Sequence, residues 1–381
     1  AVMAVDVVLA DRDFHSRYIL SKKLGSGAFA VVYLASPRKE PWVEVAVKVT
    51  DVRPKWDRDG FVGAESDPVE EAKARKEVRV WNAVPGGNNV CRLLDSYISA
   101  GLSYMVLERC RRTLTQALDS LPSLTEEAFH PFLSGMLQGL AFVHSRGIVH
   151  RDIKPQNIMC SGPHNTVKLC DFGLARFLPK TKGAGPCLGV CGTAPYMAPE
   201  MVQMAPYDEK VDMWSLGVLL YGFCFGCFPY VPERWTEDAM HDAIARGIPE
   251  PQYTPAERKQ RNLASEGIAE LVRALLDRDA ASRLSAPCAL AHKYLKQPAP
   301  PAFDMRPIFR LAKSSKVFES EGRTTARASA LDIRLRELQG KRRPEVRAMK
   351  SQTSDSEAST AMGPRATSAT VFSQVSIATS G

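Results

Sequence analysis

The stretch LGSGAFAVVYLA, residues 24–35, sets Gly25 and Gly27 just ahead of a strongly β-forming run. Glycines let backbone amides come close to a phosphate because no β-carbon intervenes. Alone, the stretch fits a loop over a dinucleotide, a loop over nucleotide phosphates, or an ordinary hairpin. The GxGxxG pattern is incomplete, since Ala30 stands where the third glycine would be. Groups with related chemistry recur downstream. Lys48 lies in EVAVKVT; Asp152, Lys154 and Asn157 lie in VHRDIKPQN; Asp171 opens DFG; and APE follows at 198–200. Lysine is a flexible point cation suited to phosphate, and carboxylate and amide oxygens suit hard cations. Each also has a bland counterpart: a strand lysine is commonly a solvated edge residue, and acidic loop residues commonly face water.

These residues need elements to hold them. YILSKKL, AVVYLAS and VEVAVKVT read as three antiparallel strands around the glycine loop. PVEEAKARKEVRVWNAV has helical periodicity with glutamates in its first turn. Two more strands, VCRLLDSYIS and LSYMVLE, follow PGGNN. From about Thr113 the pattern turns helical, and Thr125 stands in a capping position before a long apolar stripe. A β-rich part followed by a helix-rich part argues for two lobes and against βαβ alternation. Past about Gln297, PAPPAF reads as a linker. Residues 351–381, rich in Ser, Thr and Ala, are expected to be disordered. Between them Leu331, Leu335 and Leu338 fall at helical spacing among basic residues, which suits a solvated, partly helical tail or a docking or autoinhibitory helix.

In that order and in those contexts the four motifs resemble the eukaryotic protein kinase family, serine/threonine type, from about Tyr18 to Tyr294. KVDMWSLGVLLY and the DRDAASRLSA…HKYL ending look nearest to the calcium/calmodulin-dependent-like branch. The resemblance implies an α+β, two-lobe protein kinase fold, with a small antiparallel-sheet N-lobe, one main helix in it, and a larger helical C-lobe. It divides the chain into an N-terminal extension (1–17), N-lobe (18–107), C-lobe (108–296) and a basic, then Ser/Thr-rich, largely disordered tail (297–381). It implies ATP and Mg2+ as cofactors and transfer of the γ-phosphoryl group to protein Ser/Thr hydroxyls.

The same resemblance distributes roles. Gly25, Gly27 and Phe29 would cover the phosphates, and Val32 and Ala46 would pack on adenine. Lys48 would take the α- and β-phosphates, paired with Glu77 in preference to Glu70 or Glu71. Leu107 would precede the hinge, Glu108 and Cys110 would offer it backbone groups, and Met159 would floor the pocket. Asp152 would orient the substrate hydroxyl and accept its proton, Lys154 would steady the γ-phosphate, and Asn157 and Asp171 would hold Mg2+. Asp212 and Trp214 would anchor the catalytic loop, Arg283 would pair with Glu200, and Thr193 would contact the catalytic loop. Gly189 stands where a phosphothreonine often sits, and Thr181 is the one hydroxyl residue between Asp171 and Thr193. Activity independent of phosphorylation at the usual position is therefore expected, with Arg151 lacking its usual phosphate. A pseudokinase scaffold is the rival reading, and retention of Lys48, Asp152, Asn157 and Asp171 argues against it.

Composition is consistent with this. The 381 residues are 45% hydrophobic and 24% charged, as in soluble globular proteins. Of the net +8, residues 303–350 carry thirteen Lys and Arg against six Asp and Glu. The rest is nearly neutral, so the core has no electrostatic case for nucleic acid. The partners expected are protein substrates and a tail-docking regulator. The apolar run 213–230 ends in Pro229 and reads as a buried helix, so no transmembrane segment is expected. The start, AVMAVDVVLA, lacks a basic leader. Nine cysteines without a regular framework read as reduced thiols in an intracellular, cytoplasmic or nuclear, setting. Cys224 and Cys227 form a CxxC with no second pair at zinc-like spacing.

Overall fold

β-Branched and aromatic residues in the N-terminal third pair into one antiparallel sheet, as their alternation predicts. This computed structural model describes residues 13–27, 30–54, 66–86, 89–179, 187–253, 264–296 and 304–315, with Val317, Leu331 and Leu335. The chain divides after Leu331 into two compact units, and of the second only Leu335 is described.

In the first unit, α1 (Phe14–Arg17) leads into β1 (Tyr18–Ser26), β2 (Ala30–Pro37) and β3 (Val45–Asp51). The main N-lobe helix, α2 (Pro68–Asn82), precedes β4 (Leu93–Ser99) and β5 (Leu102–Glu108). The sheet order is β1-β2-β3-β5-β4, antiparallel throughout. Lys48 thus sits on a central strand, opposite Val32 on one side and Met105 on the other. α2 begins where Asp67 accepts hydrogen bonds from the Val69 and Glu70 amides and Pro68 fixes the first turn.

The larger lobe starts with β6 (Arg112–Thr113), α3 (Leu114–Asp119) and α4 (Glu126–Ser145). Thr125 caps α4 through the Ala128 amide, as its position predicts. Short strands β7 (Ile148–Val149), β8 (Ile158–Ser161), β9 (Thr166–Leu169) and β10 (Arg176–Phe177) then pair as β6-β8-β9 and β10-β7. They clamp the ends of the loops that carry VHRDIKPQN and DFG. α5 (Pro199–Val202) and α6 (Lys210–Phe225) follow, and α6 is buried from Val211 to Phe225. An all-round apolar helix is a core helix, and none of the described helices is long and apolar enough to cross a membrane. α7 (Glu237–Arg246), α8 (Glu266–Leu275), α9 (Ala286–Leu290) and α10 (Lys293–Lys296) complete the lobe around α6.

Both flanks contribute to the first unit. Phe14, in the presumed extension, is fully buried and stacks on Tyr104 with ring centroids 4.2 Å apart. Past the linker, α11 (Arg306–Ser314) is helical and packs on α6. Met305, Phe309 and Ala312 are buried, and the Phe309 and Phe223 rings lie 6.1 Å apart. The apolar stripe is short and set among basic residues, which hid it behind the Pro-rich run. Leu331 and Leu335 are helical, and Leu338 lies outside the described residues.

Candidate active site

Three glutamates on α2 compete for Lys48, and the structure sorts them. Glu70 pairs with Lys73 at 2.9 Å, Glu71 accepts from Arg75 Nε at 2.7 Å, and Glu77 faces the sheet. Lys48 Nζ donates to Glu77 Oε1 at 2.8 Å and to Asp171 Oδ1 at 2.7 Å. One ammonium therefore joins β3, α2 and the DFG segment. Burial would push Lys48 toward neutrality, but the two carboxylates outweigh it and its pKa is raised. Burial likewise opposes charge on Asp171, yet Lys48 and the Gly173 amide hold it at about 2. Glu77 moves the other way: burial dominates and raises its pKa, against the pull of Lys48.

A second cluster forms on the loop between β7 and β8. Asp152 accepts from Thr193 Oγ1 at 2.8 Å and, through its other oxygen, from Asn157 Nδ2 at 2.9 Å. Lys154 Nζ lies 2.8 Å from Asp152 Oδ2 and donates to Thr193 Oγ1 at 2.8 Å. Asp212, fully buried at the start of α6, holds this loop from beneath. It accepts the His150 and Arg151 amides at 2.8 Å each, and His144 Nε2 lies 2.8 Å from it. Its carboxyl is held below the usual range by its partners, with His144 foremost, against the cost of burial. Arg151 and Asp171 both take left-handed backbone, φ 69° and 63°, at the two loops that meet here. Gly192 approaches so closely that an added Cβ would stand 2.6 Å from the Arg151 carbonyl oxygen.

A cleft of about 1430 Å³ joins the two clusters. Gly27, Lys48, Glu77, Asp152, Lys154, Asn157 and Asp171 all line it. An added Cβ at Gly25 or Gly27 would meet nothing within 4 Å, so the chain itself does not demand glycine there. That open space suits a phosphate held by backbone amides. With Asn157 Nδ2 engaged on Asp152, its Oδ1 is left for another partner, and Asp171 keeps Oδ2 beyond the Lys48 contact. These two oxygens are a donor set that fits Mg2+.

The nucleobase-side residues fall where β2, β3, β5 and β8 adjoin. Ala46 pairs with Leu107, Val32 with Lys48, and Met159 with Thr113 and Lys168. Glu108 ends β5, its carboxylate tied to Lys168 at 3.0 Å and to Arg92 at 3.7 Å, and Cys110 follows, buried. Phe29 and Thr181 lie outside the described residues.

Two structural pairs and one surprise complete the site. Arg283 is 1% exposed, donates to both Glu200 oxygens at 2.6 and 3.1 Å, and lies over the Trp214 ring at 5.0 Å. Phe172 is buried against Trp81 and His150. The surprise is Tyr207, which no motif flagged. Arg151 donates to its hydroxyl at 3.0 Å and to the Leu174 carbonyl at 2.8 Å, and that hydroxyl donates to Gly189 O at 3.2 Å.

The chain belongs to the protein kinase family, whose domain matches residues 18–295. It is 30% identical over 314 residues to MAP kinase-interacting serine/threonine-protein kinase 2 of Xenopus laevis, covering 75% of this chain and 63% of that protein. With calcium/calmodulin-dependent protein kinase type 1 of Caenorhabditis elegans the identity is 31% over 220 residues, covering 57% and 58%. The chain thus spans less than two thirds of the length of each of these relatives. The autoinhibited serine kinase domain of the giant muscle protein titin shares the fold with a TM-score of 0.65 at 24% identity, covering 80% of this chain and 88% of that one.

Proposed function

We propose that this chain is an active serine/threonine protein kinase that moves the γ-phosphoryl group of Mg-ATP to protein hydroxyls. The observation carrying the proposal is that Lys48–Glu77–Asp171 and Asp152–Asn157–Lys154–Thr193 face one cleft. Phosphoryl transfer needs positioning and charge neutralisation more than covalent help. In this reading Lys48 grips the α- and β-phosphates, while amides near Gly25 and Gly27 cover them. Val32, Ala46, Leu107 and Met159 enclose adenine, with Glu108 and Cys110 presenting backbone groups to it. Asn157 and Asp171 hold Mg2+, which when bound neutralises phosphate charge. Asp152 orients the acceptor hydroxyl and takes its proton, and Lys154 steadies the group in transfer.

The Arg151–Tyr207 contact supports activity without a phosphothreonine, because a neutral hydroxyl beside Gly189 occupies the guanidinium. The lobes are taken as 18–107 and 108–296. α11 on α6 supports a tail that docks and regulates; the setting proposed is intracellular. The test offers labelled Mg-ATP with serine, threonine and tyrosine peptides. Label on serine or threonine alone supports the proposal, and label on tyrosine, or none on any peptide, overturns it.

A further inference from the structure

Nine cysteines are spread along the chain, and the CxxC at 224–227 is the pair that spacing singles out. The fold instead gathers three others from distant positions. Cys91 stands just before β4, Cys110 just after β5, and Cys170 immediately before Asp171. Their sulfur atoms all lie within 4.8 Å of one another, and all three cysteines are free. Cys91 and Cys110 are buried and Cys170 is partly buried. Among the described residues this is the one group of three or more His, Cys, Asp or Glu side chains placed to share a cation, and Cys224 and Cys227 are not in it.

We propose that Cys91, Cys110 and Cys170 form a binding site for a thiophilic divalent d10 cation, of which Zn2+ and Cd2+ are the probes. Thiolate sulfur is soft and selects such ions over Mg2+ or Ca2+. With metal–sulfur bonds of about 2.3 Å, sulfurs around one ion stand roughly 4 Å apart, so closing the site moves them by about 1 Å or less. The backbone around them is already fixed. The Cys91 amide donates to Leu169 O and the Cys170 amide to Asn157 O, each at 2.9 Å. The Cys170 carbonyl accepts from His150 Nε2 at 3.0 Å. A water completes four ligands, because the Glu108 carbonyl oxygen, 3.8 Å from Cys91 Sγ, is the backbone group proposed for the nucleobase.

Charge decides the valence. Three thiolates around a divalent ion leave one net negative charge, whereas a monovalent ion leaves two in a buried place. Hydrogen bonds with Cys170 and then Cys91 favour the anionic form of Cys110 against the cost of burial, and the Lys168 and Arg109 charges add to them. Each S–H that becomes a sulfur–metal bond gives its proton to water, with no change in oxidation state.

The site would tie the start of β4, the segment after β5 and the DFG strand end to one ion. The reduced, metal-free full chain is titrated with Zn2+ or Cd2+, and X-ray absorption counts the ligands on the bound ion. One ion per chain with three sulfur ligands is expected, and Cys110→Ser weakens its binding by about 100-fold or more. Cys288→Ser, at an exposed position, leaves the affinity unchanged. A bound ion with fewer than three sulfurs, equal affinity in Cys110→Ser, or a disulfide between two of the three thiols in the isolated protein overturns the proposal. The ligand count is taken on the unaltered chain, so it does not depend on how a variant folds or on whether the chain transfers phosphate.

Discussion

Lys48 sits between two carboxylates whose titrations are driven in opposite directions. Asp171 is held at about 2 and stays ionised through any working pH. Its depressed value stabilises the fold above the unfolded value near 3.8, and that contribution is lost as pH falls toward 2. Glu77 has the reverse sign: its raised value means the folded chain holds that proton more tightly, so its contribution is lost as pH rises through the folded value. On acidification Glu77 is therefore neutralised first and releases Lys48 from α2. The kinase reading predicts an acid limb in the rate profile above the ordinary glutamate range. Glu77→Gln is predicted to be slow at all pH values and to lack that limb. An unchanged limb in Glu77→Gln would assign it to another group. The choice of Glu77 was legible only through the kinase resemblance, whose spacing sets it before the loop and the next strand. Its rivals could be dismissed once Lys73 and Arg75 were seen to engage them.

At the scale of elements, a few buried polar contacts hold the catalytic loop and the APE segment in place. Asp212 binds two successive loop amides from α6, and Arg283 reaches from the α8–α9 connection to Glu200 within α5. Removing one partner of a buried ion pair strands the other. Arg283→Ala is accordingly predicted to cost about 3–5 kcal/mol of stability, read by denaturant unfolding. Adding Glu200→Ala should cost little more, since the stranded charge is gone. Losses that simply add would show that the two side chains are not coupled. The five main strands, α2, α4 and α6 were all legible, because each carries its period or its cap over many residues. β6 to β10 were not: two to four residues hold no period, and these pairs are made by the loops they clamp. Tyr207 was also invisible in sequence, because its role comes from meeting Arg151 and Gly189 across the fold.

For the whole molecule, the unexpected feature is how far the folded unit runs past the C-lobe. Phe309 and Ala312 of α11 cover α6, the Met305 amide donates to Leu124 O at 2.6 Å, and Lys313 pairs with Asp119 at 2.8 Å. The Tyr196 hydroxyl donates to the Val317 carbonyl, and Val317 packs over Gly222. Tyr196 lies three residues past Thr193, so the tail touches the segment that holds the catalytic cluster. Ending the chain after Lys296 uncovers Phe223 and Gly222. Losing the Phe309 contact alone is worth about 1.5–3 kcal/mol, so a lower melting temperature is expected together with changed activity. A shortened chain with both unaltered would make α11 a passenger. The central claim is that the two side-chain clusters carry out phosphoryl transfer. Its most direct test is transfer of labelled γ-phosphate from Mg-ATP to a protein acceptor by the phosphatase-treated chain and by Asp152→Asn. Transfer by the former that falls by about 10²–10⁴-fold in the variant is the predicted result. Equal rates for both, or no transfer by the unaltered chain while it still binds ATP, would contradict it and leave a nucleotide-binding scaffold.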